Sequence, residues 1–133
     1  MTAREYLQRA WQIDGRIGRR LEERARLRTM LNAETSASDE GPREAESALI
    51  AMDEAIEGEI LALCRVKREV NAAIEAVDDV RLRRLLELRY RSYMTWEAIA
   101  DEMGYELRHV YRLHREALRR VERGFEGPLE DAG

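Results

Sequence analysis

Leu49, Met52, Ile56, Ile60, Leu63, Val66 (or Lys67 at the same step), Val70, Ile74 and Val77 follow one another in steps of three and four. Apolar residues at that spacing line up only on an α-helix, and about four heptads of it is the coiled-coil pattern. A stripe of this kind must be buried against a second helix. A partner precedes it in the chain, with Tyr6, Ala10, Ile13, Ile17, Leu21, Leu27 and Leu31 at helical spacing. Residues 3–31 therefore read as one amphipathic helix. Thr2 and Glu5 have the capping-box spacing at its start, and Gly15 and Gly18 each weaken it by ~1 kcal/mol relative to Ala. Between the stripes lies NAETSASDEGP, residues 32–42, a small polar stretch with a Pro that can open the next helix. A short loop between two long apolar stripes gives an antiparallel helical hairpin, here residues 1–78.

Charge supports that pairing. Arg16, Arg19, Arg20, Arg24, Arg26 and Arg28 crowd the first helix, while Glu44, Glu46, Asp53, Glu54, Glu57 and Glu59 crowd the start of the second. Folding about the loop sets opposite charges side by side. Such exposed pairs are worth only ~0–1 kcal/mol each, yet they can select partner and orientation.

At VDDVR the pattern breaks. Asp78 or Asp79 can cap a helix reaching about Ser92, with Leu82, Leu85, Leu86 and Leu88 on its apolar side. Thr95 then caps a short helix, 96–103. After Gly104 and Tyr105 a longer helix covers about 107–123, followed by GFEGPLEDAG, which reads as a flexible acidic tail over 124–133.

The stretch from 96 to 123 carries the functional signal. Two helices that cross closely need a small residue at the contact, a Gly at the sharp turn four residues on, and a β-branched plug six beyond. Ala100, Gly104 and Val110 stand in that register, with Ile99, Met103, Tyr105 and Leu113 filling inward positions. If Val110, Leu113, Ala117 and Val121 face the core, then Arg108, Tyr111, Arg112, Arg115 and Arg119 share the opposite face. From 107 to 123 there are six arginines against Glu116 and Glu122, a net of +4. The whole chain has 23 basic and 27 acidic residues, net −4, but its acidity lies outside 79–123. The candidate reader helix is basic, so overall charge does not exclude DNA.

LLELRYRSYMTWEAIADEMGY followed by V-Y-R-L-H-R-E-A-L-R-R resembles the fourth region of primary bacterial sigma factors, which reads the upstream promoter element. The resemblance covers 79–123 and rests on the L-E-L-R-Y helix end, the T-x-E-x-I-A opening, the Gly turn and the A-L-R-R close. The chain is also similar to small phage-encoded proteins, late-gene activators among them, that set a helical hairpin before a sigma-like helix-turn-helix. Carried over by position, the resemblance implies base contacts from Leu107, Arg108, Tyr111 and Arg112. Arg115 and Arg119 would hold backbone phosphates, with Ile99, Ala100, Met103, Gly104, Val110 and Leu113 as scaffold. Leu107 and Arg108 depart from the Arg and Glu common in sigma factors, which implies a different target sequence. Glu106 stands at the usual Ser/Thr cap position, and Tyr93 where a turn Gly is frequent.

The expected fold is all-α: a long, coiled-coil-like antiparallel hairpin followed by a C-terminal sigma-like helix-turn-helix. The expected function is that of a sequence-specific DNA-binding transcriptional regulator of phage or prophage type. Its partners would be double-stranded DNA, RNA polymerase, and a second copy in a homodimer or other homo-oligomer formed through the hairpin. Two rivals are a small terminase-like DNA-packaging protein and a helical protein-interaction module that binds no DNA. Only Tyr6 and Trp11 are aromatic in 1–78, too few for the start-site-melting region of a stand-alone sigma factor.

Catalysis, metal and cofactor are not expected. There is no phosphate loop, nucleophile set or paired-carboxylate motif, Cys64 is the only cysteine, and His109 and His114 are five residues apart. Trp96 reads as a packing residue. The sequence holds no run of eighteen apolar residues that could span a membrane, and its first ten residues have no apolar signal core. The expected compartment is the cytoplasm of a bacterial host.

Overall fold

The computed structural model describes residues 1–34 and 41–132, with the side chains of 34, 41, 42 and 126–132 outside that description. The described residues form five α-helices and no strand: α1 (Ala3–Glu34), α2 (Gly41–Glu75), α3 (Val80–Tyr90), α4 (Trp96–Met103) and α5 (Leu107–Ala132). Most of the predicted 32–42 loop lies outside the described residues.

The helix ends follow from local chemistry. The Thr2 N–H donates to Glu5 Oε2 (3.3 Å) and the Glu5 N–H to Thr2 Oγ1 (3.2 Å), the reciprocal bonds of a capping box. Asp79 caps α3, accepting from the N–H groups of Arg81 (2.9 Å) and Leu82 (3.2 Å). Those backbone donors, that of Leu82 first, hold its carboxyl below the ordinary range. Thr95 Oγ1 accepts from the Ala98 N–H (3.2 Å) at the start of α4. Tyr93, just before it, has φ 56°. The backbone there takes the left-handed form in which Gly is easiest.

The chain divides into two compact units, Gln12–Arg65 and Met1–Trp11 with Val66–Gly133. In Gln12–Arg65, Ile13, Ile17, Leu31, Leu49 and Ile56 are buried. Ion pairs link α1 to α2: Arg16 Nε to Glu59 (3.3 Å), Arg20 Nη2 to Glu59 (3.7 Å), and Arg24 to Asp53, whose second contact, Nη2 to Oδ2, is 3.3 Å. The hydrogen bond from Arg24 lowers the Asp53 pKa. Leu21 and Ile60, expected in the buried stripes, are 49% and 45% exposed. Each follows its predecessor by four residues, and a step of four turns a helix about 40° past a full circle. Repeated steps of four therefore carry Leu21 off the face that Ile13 and Ile17 define.

The other unit joins the first turns of α1 to the last turns of α2 and to α3, α4 and α5. Its core is Leu7, Ala10, Val70, Ile74, Leu82, Leu85, Leu86, Ile99, Val110, Leu113 and Ala117, with α5 packed on both α3 and α4. Arg9 binds Glu69 (2.9 Å), and the Tyr6 and Phe125 rings meet edge-on at 4.7 Å. The unit is thus wider than the predicted 79–123 segment. The predicted end of the last helix at 123 is also corrected: α5 continues through Gly124 to Ala132, where a flexible tail was expected. The Tyr6 contact gives Phe125 a place to pack beyond Gly124.

Candidate nucleic-acid interface

Gly104 makes the turn that sets α4 against α5. Its φ of 72° and ψ of 30° are left-handed, a conformation that a Cβ disfavours by ~1–2 kcal/mol. The Tyr105 N–H donates to Ala100 O (3.0 Å), which closes α4, and Glu106 O accepts from His109 (3.0 Å) and Val110 (3.1 Å), which opens α5. No clash blocks a side chain at Gly104, since an added Cβ meets nothing within 4 Å. The backbone angle alone is what asks for Gly.

The scaffold residues lie where the spacing places them. Ile99, Ala100, Val110 and Leu113 are buried, with Ala117 and Val121 continuing the inward face, and Met103 and Tyr105 are half-buried. Of the candidate contact residues, Arg108, Tyr111, Arg112, Arg115 and Arg119 are exposed, whereas Leu107 is half-buried. Leu107 thus offers only part of its side chain to a ligand. Arg123, absent from the candidate set, is exposed and continues the arginine spacing. Arg108, Arg112, Arg115, Arg119 and Arg123 follow at steps of four, three, four and four, one stripe on one face of α5. Arg120 lies off it and pairs with Glu116 at 3.6 Å. Among the described residues none of the five stripe arginines makes an ion pair.

Beneath the stripe lies a polar and aromatic cluster that spacing alone does not announce. Trp96, the first residue of α4, meets Tyr111 edge-on at 5.6 Å and His114 at 4.5 Å. The Arg89 guanidinium lies 4.2 Å over the Trp96 ring, and its Nη1 donates to Met94 O at 2.8 Å. His114 is 3% exposed, and its Nε2 is joined by a 2.7 Å hydrogen bond to the Tyr90 hydroxyl. Burial pushes the imidazole pKa down to about 4, with Arg4 and Arg89 adding to the shift, so the ring is neutral near pH 7. Burial also pushes the Tyr90 phenol up. His109 takes another direction and stacks edge-on with Tyr105 at 4.8 Å. The two histidines therefore do not converge. Among the described residues no three His, Cys, Asp or Glu side chains gather as metal ligands, and no helix is long and apolar enough to cross a membrane.

Residues 43–122 match the family described as a protein of unknown function, DUF1492. The match covers more than half of the chain. The chain belongs to the DUF1492 family. The matched stretch runs from the first turn of α2 to the stripe on α5, so α3, α4, the Gly104 turn and the arginines up to Arg119 are all family territory. No curated protein and no solved structure matches this DUF1492 chain.

Proposed function

We propose that this protein is a sequence-specific, double-stranded-DNA-binding transcriptional regulator of phage type, with α4 and α5 acting as a helix-turn-helix and α5 entering the major groove. The observation that carries the reading is the α5 stripe. Four exposed, evenly spaced arginines, Arg108, Arg112, Arg115 and Arg119, stand opposite the buried Val110, Leu113, Ala117 and Val121. A rigid helix with one cationic edge matches the width and charge of a major groove. In this role Arg108 and Arg112, with Tyr111 beside them, read base edges, and Arg115 and Arg119 hold phosphates. Leu107 adds an apolar contact through its exposed part. The Trp96 ring supports Tyr111 from below, which keeps that phenol from swinging away from its neighbours.

The rest of the chain then serves assembly. The α1–α2 ion pairs, whose numbers fall in α2 as they rise in α1, support an antiparallel hairpin. That hairpin is the element that would contact RNA polymerase or a second copy. Cytoplasmic residence in a bacterial host follows from this reading.

Anisotropy of a labelled duplex library, measured over a range of salt concentrations, tests the proposal. A log–log slope of about −2 is expected if Arg115 and Arg119 each neutralise one phosphate at ~0.9 apiece. No binding at low salt would overturn the reading.

A further inference from the structure

On α2, within the Gln12–Arg65 unit, Glu54, Gly58, Leu61 and Arg65 follow at steps of four, three and four. That is the spacing of a helix-pairing seam, and it lies away from the face that buries Leu49 and Ile56. All four residues are exposed, and Leu61 is 67% exposed despite its size. Among the described residues nothing accounts for the glycine. A Cβ added at Gly58 meets nothing within 4 Å, although mid-helix Gly costs ~1 kcal/mol relative to Ala. Among the described residues Glu54 and Arg65 make no ion pair.

The seam is complementary to itself. When two copies of it run antiparallel, the first position faces the last and the second faces the third. Glu54 of each copy then meets Arg65 of the other, and each Leu61 meets the other's Gly58. The bare glycine backbone lets the two helices approach and receives the leucine as a knob in a hole. A two-fold axis between Gly58 and Leu61 generates both halves at once, which is the isologous pattern of a closed dimer. A parallel pairing would set Glu54 on Glu54 and Arg65 on Arg65.

We infer that Glu54, Gly58, Leu61 and Arg65 form the centre of an antiparallel homodimer interface in which two α2 helices cross between Gly58 and Leu61. This deepens the assembly role proposed for α1 and α2 and does not involve the arginines of α5.

Sedimentation equilibrium of the full chain without DNA is the test. The wild type should show a reversible monomer–dimer equilibrium. Glu54→Arg or Arg65→Glu alone should weaken it by about tenfold or more, since each sets like charges face to face. The double reversal should recover most of the affinity. Gly58→Gln should give monomers while leaving the helical circular dichroism intact, because the position is exposed in the single chain. A wild type that stays monomeric at every concentration, a dimer that neither reversal weakens, or a double reversal no better than the singles would each overturn the inference. DNA binding can fail without touching this result, and the reverse holds too.

Discussion

The hydroxyl of Tyr90 at the end of α3 and Nε2 of His114 in the middle of α5 meet at 2.7 Å, deep enough that His114 is almost wholly out of water. The bond ties α5 to α3. Burial of the imidazole makes the unit sensitive to acid. The imidazole pKa falls from an ordinary 6.5 to about 4 on folding.

The unfolded chain therefore binds a proton between those values and the folded chain does not. Stability from His114 is present above pH 6.5 and is lost as pH falls through that window. At pH 5.5 the loss should be on the order of 1 kcal/mol relative to neutral pH. Urea unfolding at pH 7.5 and 5.5 measures it. His114→Gln should lower stability at pH 7.5 and flatten the difference between the two pH values. Comparable pH dependence in that variant would show that other groups carry it.

The turn between α4 and α5 has a backbone signature. Gly104→Ala should destabilise the chain by ~1–2 kcal/mol, because the new Cβ must be held at φ 72° with open space around it. Thr95→Ala removes the acceptor for the Ala98 N–H and should cost ~1 kcal/mol. Chemical denaturation reads both. The two changes lie at opposite ends of α4 and should add.

The α5 arginines should separate by role in a competition assay against a randomised duplex. Arg108→Ala and Arg112→Ala should relax sequence preference, by ~1–3 kcal/mol for a bidentate contact to guanine. Arg115→Ala and Arg119→Ala should weaken all sequences alike and each reduce the salt slope by about one. Equal losses with unchanged preference in all four variants would mean that no base is read.

Local chemistry announced most of this fold. The Thr2–Glu5 box, Asp79 and Thr95 as caps, Gly104 as the turn and the inward run Val110, Leu113 and Ala117 all depend on residues within a few positions of each other. His114 was harder to read, because its burial depends on Tyr90, a residue 24 positions away on another helix. Periodicity says which side of α5 is covered and nothing about which neighbour covers it. The same limit explains Leu21 and Ile60, apolar residues a quarter-turn off the buried face. It also explains α5 beyond Arg123, where Gly124, Gly127 and Pro128 look like an end until Phe125 meets Tyr6. Arg123 falls outside the candidate contacts for a related reason, since the spacing predicts that the helix ends there.

The Tyr6–Phe125 contact has a consequence for how the protein is made. The unit that carries the arginine stripe is sewn from residues near opposite ends of the sequence, Met1–Trp11 and Val66–Gly133. A ribosome delivers the first of these early and the last of them late. The opening turns of α1 must therefore wait for the later helices of their unit, and Tyr6 waits longest, for Phe125 of α5.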